Sequence, residues 1–251
     1  MIRAKPDPRR TCPPSCLWPA AFFHTALLPL IPIAPDEQGP VHFLMMDTEQ
    51  AAFKGSDQYM FFQADLAAVD RSITPWVVFS GHRPMYSSGG AKSAAGDYND
   101  ADGPWWGDLE DLLILYSVDL CLWGHNHNAE ITCPLQRGKC VFSPSGGYDA
   151  PVHVVAGNGG QSLSGWAQTP EWSLWRGIYF GYTTLQVEGP TRLKINMFAD
   201  CNWTPSPSDG PNTNCTMAHK LVYSTELKRR PGLWLGNTTK PAAAPPSAVH
   251  N

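Results

Sequence analysis

The sequence predicts an α/β protein built on a sheet with parallel strands, and three features carry that reading. Pro75-Trp76-Val77-Val78-Phe79-Ser80 and Asp119-Leu120-Cys121-Leu122-Trp123 are short apolar runs rich in β-branched and aromatic residues, the composition of buried strands. Each run stops abruptly at a Gly-His, namely Gly81-His82 and Gly124-His125. A segment of helical length separates them, which makes the pair a βαβ unit with its strands parallel and adjacent. The imidazoles then fall in loops at the C-terminal edge of the sheet, where layered α/β proteins keep their chemistry. His127 follows two residues after His125 in the same turn. Three imidazoles gathered at one edge point to a metal site, since neutral imidazole is the commonest protein metal ligand.

In chain order, residues 1–38 are the part least like a folded domain. Met1 to Arg10 is basic, and Leu17 to Ala34 is apolar but broken by Pro19, Pro29 and Pro32, with Pro35 just beyond. A basic start before an apolar run has the form of a secretory signal, yet the prolines oppose a helical core for it. A leader or a disordered segment is the expectation. No uninterrupted apolar stretch reaches about 18 residues, so no membrane span is expected.

Pro40 to Thr48 reads as a buried strand. Ser56 is an N-cap, and Tyr59, Phe62, Leu66 and Val69 follow at helical spacing on one face. Asp47 and Glu49, in the intervening loop, follow a strand and are either metal carboxylates or loop and capping groups, the second being the expectation. Met85 to Gly103 is rich in Gly, Ser, Ala and Asp and has no apolar period. It is expected to be a long mobile loop over the site. At its base, Tyr86 is either a substrate contact or a packed aromatic, and Asn126 is a second candidate for substrate binding. Pro104 opens another helix, with Trp105, Leu109, Leu112, Leu113 and Tyr116 as its buried stripe.

Beyond His127 the pattern is all β. Cys133 and Cys140 are close enough for a hairpin disulfide, and Cys201 with Cys215 brackets a polar loop as a second pair. Cys12 and Cys16 are a third pair or unstructured, which leaves Cys121 as a buried free thiol. The cysteines lack the paired Cys-x-x-Cys spacing of zinc sites. Asn202, Asn214 and Asn237 head glycosylation sequons. Disulfides and sequons together point to the secretory route, with a secreted or vacuolar and lysosomal destination.

Val152 to Ala156 is a further strand, in which His153 alternates with apolar neighbours and reads as a core histidine. Gly157-Asn158-Gly159-Gly160 has neither a following Lys nor a helix pattern, so it is not read as a phosphate cradle. Tyr179 to Val187 and Thr191 to Phe198 form a closing hairpin around Gly189-Pro190, with Leu193, Ile195 and Met197 facing inward. The tail from Pro231 is expected to be disordered.

At 251 residues, 43% hydrophobic and 16% charged, the chain can bury a substantial core. A formal net charge of -4 without a basic face argues against a nucleic-acid binder.

Gly81-His82-Arg83-Pro84-Met85-Tyr86 and Gly124-His125-Asn126-His127, with Val41-His42-Phe43-Leu44-Met45-Met46-Asp47-Thr48-Glu49 upstream and Val152 to Gly160 downstream, carry a family resemblance. They resemble the C-terminal half of the purple acid phosphatases, calcineurin-like metallophosphoesterases, from about Gly39 to about Met197. The resemblance implies a layered β-sandwich flanked by helices that lacks its N-terminal half. It divides the chain into residues 1–38, the domain part 39–200 and a Cys/Asn/Pro-rich extension 201–251. It implies hydrolysis of small phosphate monoesters by water activated between two metal ions about 3.5 to 4 Å apart. His82 and His125 would hold a divalent ion (Zn, Mn or Fe) and His127 a ferric ion.

The family also needs an Asp and a Tyr on the ferric ion, a bridging Asp, and an Asn and a His in Gly-Asn-His. None of the Asp-x-Gly, Gly-Asp-x-x-Tyr or Gly-Asn-His patterns occurs in residues 1–38, and Gly96-Asp97-Tyr98 falls in the wrong place. Two function classes follow. One is an acid phosphatase, with a phosphodiesterase as its variant. The other is an inactive, glycosylated binding or structural remnant. In such a remnant the missing half of the sheet predicts exposed apolar strand edges, hence poor solubility or a homodimer.

Overall fold

The structure, a computed structural model, describes residues 40–89, 105–143, 147–160, 162–202 and 219–229, with every side chain among them except those of Trp105, Cys201 and Asn202. The predicted βαβ unit is present. Val41–Met45 (β1) is followed by Asp57–Ala68 (α1), Trp76–Gly81 (β2), Trp105–Leu115 (α2) and Leu120–Trp123 (β3). The Ser56 hydroxyl caps α1 by accepting from the Tyr59 N–H at 3.3 Å, and Tyr59, Phe62 and Leu66 form the helix's buried face. In α2 and the turn after it, Leu109, Leu112, Leu113 and Tyr116 are buried at the expected spacing. β1, β2 and β3 are parallel, with Phe79 opposite Leu44 on one side and Cys121 on the other.

The chain continues through Ala129–Gln136 (β4), Lys139–Cys140 (β5), Val152–Ala156 (β6), Ser173–Gly177 (β7), Tyr179–Val187 (β8), Arg192–Asn202 (β9) and Lys220–Lys228 (β10). The first sheet runs β1-β2-β3-β6-β4-β5, with β7 also on β4, and the second runs β10-β9-β8. In β2 the alternate residues Val77 and Phe79 pack with the helices, whereas Trp76 and Val78 pack with Leu193, Ile195 and Met197 of β9. These four β2 side chains are fully buried, so the strand reads as a continuous apolar run rather than an alternating one. The result is the expected layered sandwich with helices on one face.

Two strands, β7 and β10, had no counterpart in the sequence reading. The boundary at residue 200 cuts through β9, and β10 pairs with β9 from Lys220 to Lys228. The 201–251 extension is corrected accordingly: Lys220–Lys228 is part of the sandwich. Its alternating Leu221, Tyr223, Thr225 and Leu227 was a period-2 signal hidden in a polar, proline-rich region. β1, read from the sequence as a buried strand, is corrected: only Leu44 of its residues is buried, and Phe43 and Met45 are 56% and 76% exposed.

At the end of the sheet opposite the Gly-His loops, the Asp119 carboxylate joins four groups. It accepts from Arg71 Nη1 at 2.5 Å, from the Val77 N–H at 2.7 Å and from the Tyr148 hydroxyl at 2.7 Å, and Arg229 Nε lies 3.3 Å away. Arg229 also donates to the Pro75 carbonyl and lies over the Trp76 ring. One carboxylate thus ties the α1–β2 turn, β3 and the end of β10 together.

His153 is a core residue, as its alternation predicts. Its ring lies nearly parallel to that of Trp123, whose indole N–H donates to His153 Nδ1 at 3.0 Å. Full burial lowers its pKa from 6.5 to about 3. A lowered folded-state value makes the sign definite: below pH 6.5 the unfolded chain takes up a proton that the folded chain refuses. Stability is therefore full above pH 6.5 and falls as pH drops toward 3. Between pH 7 and 5 this group alone removes about 2 kcal/mol. Urea unfolding of wild type and His153→Gln at the two pH values checks this, and equal losses in both chains would rule out His153 as the cause.

Candidate metal centre

The site grows from the pairing of β2 with β3. Gly81 lies opposite Trp123, and one step further the Gly124 N–H donates to the His82 carbonyl at 3.0 Å. This extends the strand pairing to the point where both histidines leave the sheet. Gly81 has no side chain for a steric reason: a Cβ there would lie 3.0 Å from both Thr48 Cγ2 and Trp123 Cζ3. His125 adopts a left-handed backbone conformation with φ 58°, unusual for a residue other than glycine. It brings His125 Nδ1 to 3.1 Å from His82 Nε2, with the rings edge to face. Partial burial lowers the His125 pKa, helped by His82 and Arg83 and opposed by Glu49.

His127 lies in the same turn but is held by a different segment. Its N–H donates to Ser164 Oγ at 2.8 Å, its carbonyl accepts from the Ser164 N–H at 2.9 Å, and its Nδ1 lies 3.0 Å from Ser162 Oγ. The structure thus brings His82 and His125 together and leaves His127 beside them with its own anchors. Among the described residues no three His, Cys, Asp or Glu side chains converge as a metal-binding group. The facing nitrogens of His82 and His125 do fit one ion, because two ligands about 2.0–2.1 Å from a tetrahedral zinc ion stand about 3.3 Å apart. The dinuclear ferric and divalent pair does not fit the described residues, which offer no carboxylate that bridges the imidazoles.

Tyr86 resolves to a packed aromatic. It is 2% exposed, its hydroxyl donates to Glu110 Oε1 at 2.5 Å, and it accepts from the Gly138 N–H at 3.0 Å. Asn126 is 4% exposed and its amide donates to Ser87 Oγ at 2.6 Å. Both expectations of substrate contact are corrected, because each polar group is turned inward to a protein partner. The first residues of the expected mobile loop, Met85 to Gly89, are buried as well. Ser88 donates through its N–H and its hydroxyl to the buried Glu130. Gly90 to Gly103 lies outside the described residues.

Sequence reasoning missed four contributors. Glu49 forms an ion pair with Arg83, Nε to Oε1 at 2.7 Å, instead of capping, and Asp47 closes a turn within the loop by accepting from the Glu49 N–H at 2.9 Å. Ser162 and Ser164 anchor His127, and no periodic signal marks them. Gly157 carries no side chain because a Cβ there would stand 1.9 Å from the Asn126 carbonyl oxygen.

The Cys133–Cys140 disulfide is present, and Cys121 is a buried free thiol whose pKa burial raises well above 9.0. The Cys201–Cys215 pairing and the sequons at Asn202, Asn214 and Asn237 concern side chains outside the described ones, as do residues 1–38 and the tail from Pro231. Among the described residues no helix is long and apolar enough to cross a membrane.

Residues 150–204 match the family model for the iron/zinc purple acid phosphatase-like protein C domain. The chain matches the C-terminal part of the purple acid phosphatase family. It is 34% identical over 200 residues to purple acid phosphatase 18 of Arabidopsis thaliana, covering 78% of this chain and 42% of that protein. It is also 34% identical over 155 residues to the probable inactive purple acid phosphatase 27 of the same plant, covering 59% of this chain and 25% of the relative. The purple acid phosphatase of yellow lupin (Lupinus luteus) seeds has the same fold, with a TM-score of 0.60 and 28% identity over 76% of this chain and 31% of the lupin chain. The chain therefore spans about a quarter to two-fifths of the length of these relatives.

Proposed function

We propose that this chain supplies the histidine half of a site that hydrolyses small phosphate monoesters, an acid phosphatase activity of the longer domain, and that the chain by itself does not turn over. The observation that carries this reading is the approach of His82 Nε2 to His125 Nδ1 at 3.1 Å where β2 and β3 leave the sheet. The family's iron and its divalent partner (zinc, manganese or iron) belong to that longer domain. The disulfide supports a secretory-route protein. A second reading, an inactive remnant with a binding or structural role, is favoured by the absence of a bridging carboxylate among the described residues and by the similarity to a relative named as probably inactive.

The test joins this chain to the N-terminal remainder of the lupin seed enzyme and assays an aryl phosphate near pH 5. The expected result is turnover in the joined protein, none in the chain alone, and loss of turnover in joined His82→Ala and His127→Ala. A joined protein that folds and binds metal but stays inert would establish the remnant reading.

A further inference from the structure

We infer that this chain forms a two-fold dimer in which β1 of one copy pairs antiparallel with β1 of a second copy, Phe43 facing Phe43 at the axis, so that the two first sheets become one.

The backbone of β1 carries the argument. β1 ends the first sheet and, among the described residues, pairs with β2 alone. The parallel register sets Val41, Phe43 and Met45 beside Trp76, Val78 and Ser80. The bonds at either end of this ladder show which residues make it. The Trp76 N–H donates to the Pro40 carbonyl at 3.2 Å, and the Met46 N–H donates to the Ser80 carbonyl at 2.7 Å. The even-numbered residues therefore turn their backbone groups toward β2. Successive residues of a strand turn these groups to opposite sides, so Val41, Phe43 and Met45 present N–H and C=O to the open edge. Such a row is a template for another strand.

That row is its own complement. With Phe43 on a two-fold axis, Phe43 exchanges both bonds with Phe43 of the second copy, and Val41 exchanges both with Met45 on either side. Every outward group is then paired. An isologous contact of this kind closes at two copies instead of growing into a filament.

The side chains agree with the backbone. On one face His42 Nε2 lies 2.6 Å from Asp65 Oδ2 of α1, and Leu44 is buried in the core under the helices. On the other face Val41 reaches the rim of the core between the sheets, while Phe43 and Met45 stand exposed beyond it. The two-fold places Phe43 directly against Phe43 and Met45 against Val41 on that face, and cross-strand aromatic and aliphatic pairs of this kind stabilise a sheet. Natural edges are blunted by Lys, Pro or inward charges. Val41 to Met45 contains none of these, and its one polar side chain, His42, is turned to Asp65.

The experiment is sedimentation velocity on the full chain at concentrations spanning the micromolar range. We expect a reversible monomer–dimer equilibrium. Phe43→Pro removes the central outward N–H and the aromatic pair but no bond to β2, and an edge strand tolerates proline where its N–H faces outward. Dimer affinity should fall at least about 100-fold, the combined effect of two lost hydrogen bonds and one side-chain pair. Phe43→Lys, which sets two like charges opposite each other, replaces Phe43→Pro if circular dichroism shows that the latter unfolds. Phe142→Ser, at an exposed aromatic away from β1, should leave the equilibrium unchanged. Under mild oxidation Phe43→Cys should give a covalent dimer, because directly opposed residues that exchange hydrogen bonds have Cα atoms about 5.5 Å apart, within disulfide reach. Met45→Cys should not, since the two-fold sets its copies four residues out of register.

A chain that stays monomeric, aggregates without limit, dimerises as well with Phe43→Lys, is dissociated equally by Phe142→Ser, or crosslinks through Met45→Cys and not Phe43→Cys would overturn the inference. The proposed activity stands apart from it. An inert joined protein leaves the dimer standing, and a monomeric chain leaves the activity standing.

Discussion

Asp119→Ala lowers the unfolding free energy of this chain by about 3–5 kcal/mol, the usual cost of removing one partner from a buried ion pair. The carboxylate is 2% exposed, and Arg71 and Arg229 beside it are 3% and 11% exposed. Its loss leaves two guanidinium groups in a low-dielectric interior, and it also removes the acceptor of the Val77 N–H and the Tyr148 hydroxyl. Buried charge without a counter-charge is costly, so the sheet must open to water at that end or come apart. Urea unfolding followed by tryptophan fluorescence measures the loss. The double variant Asp119→Leu with Arg71→Met should recover part of it, because a pair removed together costs less than a pair broken. A deficit below about 1 kcal/mol in the single variant would mean that the node is solvated and contributes like a surface pair.

Gly157→Ala disturbs the candidate metal centre without touching one of its histidines. The added Cβ would stand 1.9 Å from the Asn126 oxygen and 2.8 Å from its carbonyl carbon, both backbone atoms that no rotamer change can move aside. Asn126 lies between His125 and His127, so the turn that aims both rings must shift. We expect about 3 kcal/mol of destabilisation, the upper part of the overpacking range. Zinc affinity should fall at least about tenfold, as it does when the support around a ligand is disturbed. Gly159→Ala is the matched control, since a Cβ there meets nothing within 4 Å. A Gly157→Ala chain with wild-type zinc affinity would show that the turn adapts freely, and the role given to Gly157 would then be wrong.

The two glycines also show where sequence reading stops. Gly157 and Gly159 stand in one Gly-Asn-Gly-Gly run and look alike in the chain, yet one meets a carbonyl across the sheet edge and the other meets solvent. Clash with a distant backbone is a property of two segments, and neither segment records it alone. Glu49 is similar. Its place after a strand was visible, but its partner Arg83 lies 34 residues on and was chosen by the docking of two loops.

The sequence by itself determined the strands β1, β2 and β3, the parallel pairing of β2 with β3, both helices with their buried faces and the Ser56 cap. It also determined the Cys133–Cys140 bridge, the free Cys121 and the delivery of three histidines to one edge. These follow from local chemistry: apolar period, capping oxygens and Gly-His breaks are written within a few residues of where they act. Only the tertiary structure decided that β10 completes the second sheet and that Tyr86 and Asn126 point inward. Likewise it decided that Asp119 anchors the far end, and that two of the three imidazoles meet while the third is held apart. Each of those outcomes depends on which of several polar partners lies nearest after long-range packing, and a chain read in one dimension does not contain that distance.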